Sequence, residues 1–256
     1  MLHAHTLLWN YFWVAPNAVL AALGITLLKR GKWREFPAFI IFALASPLAE
    51  LCCFAADVIP SVSPLTYWRA EWVNLLLSSF LKFVVIGEVF SKIFDRYPTV
   101  SRLGRILGSG FGGGLVLVAT VVAAFASGDS PLRVIAWVHL LDQTVFMIES
   151  GLIVFLFLLA AYFRLSWERS AFGILLGLGI SASVHLSTWA VIANASPSDR
   201  GRTLLAFVNM ATYHVCVLIW FYYLALARRT VAVKEVPLPE HSLDGWNREL
   251  ERLLQR

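Results

Sequence analysis

Charge is scarce in this chain. Asp, Glu, Lys and Arg make up only 14% of its 256 residues, against about a quarter in an ordinary soluble domain. So few charged side chains could not cover a water-facing surface without leaving large apolar patches. Cysteine is sparse too. Cys52, Cys53 and Cys216 lie in apolar stretches without the spacing of a zinc or disulfide framework, and they read as small core residues. No linker between apolar runs is long enough to hold an inserted soluble domain. No Lys or Arg precedes the first apolar run, so the basic n-region of a cleaved signal peptide is missing and that run is expected to persist as a helix. Intrinsic disorder and nucleic-acid binding drop out with these absences, leaving the net charge of +5 to be explained by topology.

What the chain has is apolar length. Hydrophobic residues make up 59%, with ten Trp and eighteen Phe, and the mean hydropathy is +0.71. A bilayer core about 30 Å thick needs roughly 20 apolar residues per helix. Seven runs qualify: 7–28, 36–59, 72–94, 106–127, 134–163, 171–193 and 203–227. The expected fold is all-α, a polytopic membrane protein with seven transmembrane helices. Residues 1–227 would form the membrane domain and 228–256 a tail.

The basic residues sort by side. Lys29, Arg30, Lys32 and Arg34 follow the first run, Lys92, Arg96, Arg102 and Arg105 the third, and Arg164 and Arg169 the fifth. With six more in the tail, sixteen of the 21 fall on one side, while Arg69, Arg133, Arg200 and Arg202 fall on the other. The positive-inside rule then places the N-terminus outside and the C-terminus in the cytoplasm. Trp9, Trp13, Trp68, Trp72, Trp137 and Trp189 sit near outer ends, with Trp33 and Trp167 near inner ones, as an interfacial belt would.

Small residues mark packing faces. Gly108 and Gly112 open the fourth run and Gly173 and Gly177 lie in the sixth, a four-residue spacing that lets helix backbones approach in lipid and suits a homo- or hetero-oligomer. In the tail, Trp246, Leu250, Leu253 and Leu254 recur at helical spacing. Such a helix would lie on the inner membrane face among lipids, or dock a cytoplasmic partner.

Ionisable groups at membrane depth are costly and point to function. Glu50 and Asp57 share a face of the second run, and Asn74, Ser78 and Lys82 align in the third. His139, Asp142 and Glu149 fall within one arc of the fifth, Ser181, His185 and Thr188 align in the sixth, and the seventh adds His214 and, on another face, Asn209 with Tyr213. Most lie about 5 to 20 Å below the outer surface. The reading is an outward-facing polar cavity lined by Glu50, Asp57, Lys82, His139, Asp142, Glu149, His185 and His214, set against a network that merely fixes packing, with Lys82 neutralising Glu50 or Asp142. Glu88 is explained by Lys92 four residues on.

Several chemistries could draw on these residues. A metal would be held by His139, Asp142, His185 and His214, but no HExxH or Glu-x-x-His signature is present, and haem has few facing His pairs. Asp95-Arg96-Tyr97 matches the Asp-Arg-Tyr motif of rhodopsin-like receptors, without the rest of that pattern. Retinal is excluded because the seventh run has no lysine. Transport is disfavoured by the lack of an inverted repeat.

The stretches Arg34-Glu-Phe-Pro-Ala-Phe, Arg164-Leu-Ser-Trp-Glu-Arg-Ser-Ala-Phe-Gly173-Ile-Leu-Leu-Gly177, Asn209-Met-Ala-Thr-Tyr213 and Leu218-Ile-Trp-Phe-Tyr222 together resemble a family of bacterial seven-helix membrane proteins without a known activity. The resemblance implies the seven-helix fold and a bacterial inner membrane, and no reaction or ligand. The expectation is a non-enzymatic, receptor-like or sensor-like protein that binds a small polar or cationic ligand, or protons. An intramembrane metal-dependent hydrolase or oxidoreductase, and a structural subunit of a larger complex, are the alternatives.

Overall fold

A computed structural model describes residues 6–94, 131–162, 168–195 and 198–226, with single positions between 102 and 114. The side chains of residues 131–141 and 193 lie outside this description. So do most of the fourth apolar run with Gly108 and Gly112, the Asp95-Arg96-Tyr97 motif, and the tail with Trp246, Leu250, Leu253 and Leu254.

The described residues are helical and contain no strand. The helices are α1 (Leu7–Lys29), α2 (Pro37–Val58), α3 (Pro64–Ile93), α4 (Pro131–Tyr162), α5 (Arg169–Ala195) and α6 (Asp199–Phe221), the last running on as a π turn over Tyr222–Leu226. Six helical stretches are long and apolar enough to cross a bilayer, and the chain is a multi-pass helical membrane protein. Large apolar side chains such as Leu48, Val154, Leu158 and Val215 stay exposed on the outer faces, where lipid is their natural solvent.

Local sequence explains the helix ends. Thr6 accepts from the Trp9 N–H at 3.3 Å, Ser63 from Thr66 at 3.2 Å and Ser198 from Gly201 at 3.4 Å, each satisfying an otherwise orphaned first-turn donor. Just after α1, Gly31 sits at φ 69°, a left-handed conformation that suits glycine. Pro64 at the first position of α3 extends that helix eight residues ahead of the expected start at 72. Hydropathy misses a polar first turn, whereas Ser-Pro capping does not.

The helices pack in a ring, α1 on α2, α2 on α3, α3 on α4, α4 on α5, α5 on α6 and α6 back on α1, with α3 also touching α5. At one end, the Arg30 guanidinium donates to the Ala225 carbonyl at 2.6 Å, Arg169 donates to Tyr222 Oη at 3.2 Å, and Lys92 Nζ lies 4.0 Å from Glu168. Basic residues from the first, third and fifth loops thus converge, as their sorting requires. The α3 and α4 helices run parallel, as contacts around the ring require. Helix α1 runs against α2 (Trp13 at Glu50, Gly24 at Leu44) and α2 against α3, while α6 runs with α1 (Trp9 at Phe207, Arg30 at Ala225), α5 against α6 (Thr188 at Asn209, Ile174 at Trp220) and α4 against α5 (Asp142 at His185, Phe157 at Phe172).

Trp220 anchors the half of the core nearest the basic end. Its ring meets Phe39 and Phe42 edge-on at 5.6 and 5.8 Å, and its indole donates to the Ile174 carbonyl at 3.1 Å. Gly177 makes room for it and Gly173 for Tyr223: a Cβ on either glycine would collide with that ring. This glycine pair, expected to suit an oligomer, packs against aromatic rings of its own chain.

Candidate functional site

Helices α2 and α3 are joined by a short turn and so run antiparallel. Their polar residues meet in register along one seam. Ser78 lies 3.5 Å from Ser46, and Asn74 Nδ2 donates to Glu50 Oε1 at 2.9 Å. The advance along α2 from 46 to 50 is matched by the same retreat along α3 from 78 to 74, as 3.6-residue periodicity demands. From α1, the Trp13 indole donates to Glu50 Oε2 at 3.1 Å.

Two turns beyond Asn74, Lys82 leaves this seam and turns to α4. Asp142, Phe146 and Glu149 stand at i, i+4 and i+7 there, a single helical face. Lys82 Nζ lies 3.5 Å from Glu149 Oε2 and 4.4 Å from the centre of the Phe146 ring, an ion pair with a cation–π contact. The His185 imidazole of α5 stacks on the same ring at 3.9 Å and 26°, and its Nε2 is 2.6 Å from Asp142 Oδ2. The Trp189 indole, one turn on, donates to that oxygen at 3.1 Å. Glu149 is fully buried, while the His185 and Asp142 side chains keep 24% and 16% of their surface. The pair thus keeps accessible surface that Glu149 lacks.

Neighbouring bonds tie α5 to α6 and α6 to α1. Thr188 Oγ1 donates to the His185 carbonyl at 2.7 Å and is bonded to the Asn209 amide of α6 at 3.0 Å. Tyr213 Oη reaches Asn17 Oδ1 at 3.5 Å.

Of the eight residues expected to line one cavity, Lys82, Asp142, Glu149 and His185 meet in one cluster, and Glu50 lies in the adjoining seam. Asp57 is half-buried one turn beyond Cys53. His139 lies on α4 one turn before Asp142, with its side chain outside the described residues. His214 is elsewhere: its ring lies 6.0 Å from Tyr11 and 6.2 Å from Phe12, against α1.

Three expectations are corrected. Lys82 faces Glu149, not Glu50 or Asp142, because eight residues of α3 carry it about 12 Å along the axis from the Asn74–Glu50 contact. Glu88 is not explained by Lys92 alone, since its two oxygens accept from the Ala38 and Phe39 N–H groups at 3.0 and 3.1 Å and cap α2. Lys92 meanwhile sits 3.7 Å over the Phe36 ring. Trp13 and Trp189 turn inward as donors to carboxylates rather than serving only as an interfacial belt.

Glu71 and Phe146 were missed. Glu71 fell just outside the apolar run, and the Ser63-Pro64 start of α3 was the signal that would have included it. Phe146 carries no sequence mark beyond its position between two acids.

Among the described residues, no group of three or more His, Cys, Asp or Glu is placed to hold a metal ion. Comparison with protein-family models, curated proteins and solved structures finds no match to this chain. The site is therefore read from its own chemistry.

Proposed function

We propose that this chain is a receptor-like or sensor-like membrane protein whose signal is proton binding at His185. The observation that carries this reading is the 2.6 Å His185–Asp142 pair, packed through Phe146 onto Lys82 and Glu149. With the imidazole neutral, these four groups sum to one negative charge. One added proton brings them to zero. Imidazole is the side chain that changes charge between pH 5 and 8, and where lipid replaces water such a change acts at low dielectric.

A seventh crossing is part of the proposal. The parallel run of α3 and α4 supports it, since a connection between parallel neighbours has to return to the starting side, and residues 106–127 have the apolar length for a crossing. The basic end is cytoplasmic by the positive-inside rule, with the N-terminus outside, and the membrane is the inner membrane of a bacterium, as the resemblance implies. Changes at the cluster would leave through the basic loops or the tail.

Hydrogen exchange on protein in lipid nanodiscs tests the reading. Protection of α4 and α5 amides should differ between pH 5 and pH 8 in the wild type and not in His185→Gln. An equal difference in both proteins would overturn it.

A further inference from the structure

The end of α6 nearest the basic loops is held from both sides by arginine. From α1, the Arg30 guanidinium donates to the Ala225 carbonyl at 2.6 Å. From α5, Arg169 donates to Tyr222 Oη at 3.2 Å, and its guanidinium carbon lies 5.6 Å from the ring centres of both Tyr222 and Tyr223. Because α1 and α5 are the two neighbours of α6 in the ring, the cations flank the face that carries Tyr222. Their acceptors there, a carbonyl and a phenol, are neutral. Lys32 and Lys92 at the same end instead lie 3.4 and 4.0 Å from the carboxylates of Glu35 and Glu168. Arg30 and Arg169 are both exposed, and a guanidinium has five N–H donors, so these bonds leave each of them donors to offer.

From this pair toward the middle of the bilayer the surface is apolar. Leu218, Tyr222 and Leu226 recur every four residues on α6, and all three are exposed. Ile25 and Leu28 of α1 are exposed at the same depth, since the two helices run parallel with Arg30 beside Ala225. Two guanidinium groups at the end of an apolar row match a charged headgroup followed by an acyl chain.

We propose that this face binds an anionic phospholipid, with its headgroup held by Arg30 and Arg169 and a chain lying along Leu218 and Leu226. Guanidinium pairs with phosphate through charge-assisted, bidentate hydrogen bonds, and basic sites between membrane helices suit such headgroups. A zwitterionic headgroup leaves the two positive charges without a net counter-charge. A free phosphate has the charge but nothing to cover the apolar row. The site needs only that the chain spans a membrane, and it is independent of His185 and of which end faces the cytoplasm.

The experiment is native mass spectrometry of the full-length protein in mild detergent, titrated with dioleoylphosphatidylglycerol or dioleoylphosphatidylcholine, with glycerol 3-phosphate as a soluble competitor. Saturable binding of phosphatidylglycerol, on the order of tenfold tighter than phosphatidylcholine, is expected. It should fall about fivefold in Arg30→Gln and in Arg169→Gln, lose its preference over phosphatidylcholine in the double variant, and stay unchanged in Lys32→Gln. Equal binding of the two lipids would overturn the site. So would displacement by glycerol 3-phosphate at matched ionic strength, or an equal loss in Lys32→Gln, which would make the attraction a diffuse effect of the basic end. Should one arginine variant fail to fold, the other and the comparison of lipids on wild-type protein still decide.

Discussion

The Asp142 carboxylate holds two neighbours on one oxygen: His185 Nε2 at 2.6 Å and the Trp189 indole N–H at 3.1 Å. Both donors come from α5, one turn apart, and the acceptor comes from α4. Any change in the protonation of His185 is thus felt at Trp189 through a shared atom, and at the α4–α5 interface as a whole. Replacing Asp142 with Asn keeps the shape and removes the charge. That variant should leave the fold intact and remove the difference in α4 and α5 amide protection between pH 5 and pH 8, because the carboxylate that an imidazolium would pair with is gone. Hydrogen exchange in lipid nanodiscs measures it.

Lys82 and Glu149 are the pair that the fold can least afford to break singly. Glu149 has no exposed surface, so Lys82→Met would leave a carboxylate buried in apolar surroundings. A loss of about 3–5 kcal/mol is expected for removing one partner of such a pair. The double variant Lys82→Met with Glu149→Leu should recover most of it. Thermal unfolding in detergent, read for the two single variants and the double, gives the coupling directly.

Gly177 is predicted to tolerate nothing larger. A Cβ there meets the Trp220 indole, which is itself pinned to the Ile174 carbonyl at 3.1 Å. Gly177→Ala should therefore cost about 1–3 kcal/mol, as overpacking does. Adding Trp220→Phe should relieve part of that loss, which the same melting experiment would detect as non-additivity.

Glu88 caps α2 from the neighbouring helix α3, and its loss should be felt locally. Glu88→Ala is expected to cost about 1–2 kcal/mol, in the range of lost N-terminal caps, with Glu88→Gln losing less because one acceptor oxygen remains. Hydrogen exchange should show the Ala38 and Phe39 amides losing protection before those in the middle of α2.

Much of this was legible in the sequence. Six of the seven apolar runs coincide with described helices. The faces carrying Asn74, Ser78 and Lys82, or Asp142 and Glu149, follow from periodicity alone, because a helix fixes which residues share a side. Which faces meet does not follow from periodicity. Lys82 had Glu50 and Asp142 as sequence-level candidates and pairs with Glu149, since that choice depends on α3 and α4 running parallel. Trp13 and Trp189 are placed near helix ends by spacing, but only the rotation of α1 and α5 in the ring turns their N–H groups inward. Glu71 escaped because hydropathy scores a polar first turn as loop. His214 was grouped with His185 on depth, and depth carries no information about the angle around the bundle.

The most direct test of the account is the fluorescence of Trp189 as a function of pH. Its ring lies 6.4 Å from the His185 imidazole, close enough for an imidazolium to quench it, and the difference between wild type and Trp189→Phe isolates its signal from the other nine tryptophans. The account predicts a difference signal that falls as pH drops from 8 to 5, follows a single-proton curve, and is flat in His185→Gln. A pH-independent signal in the wild type, or one that survives in His185→Gln, would contradict the claim that His185 is the proton-binding switch.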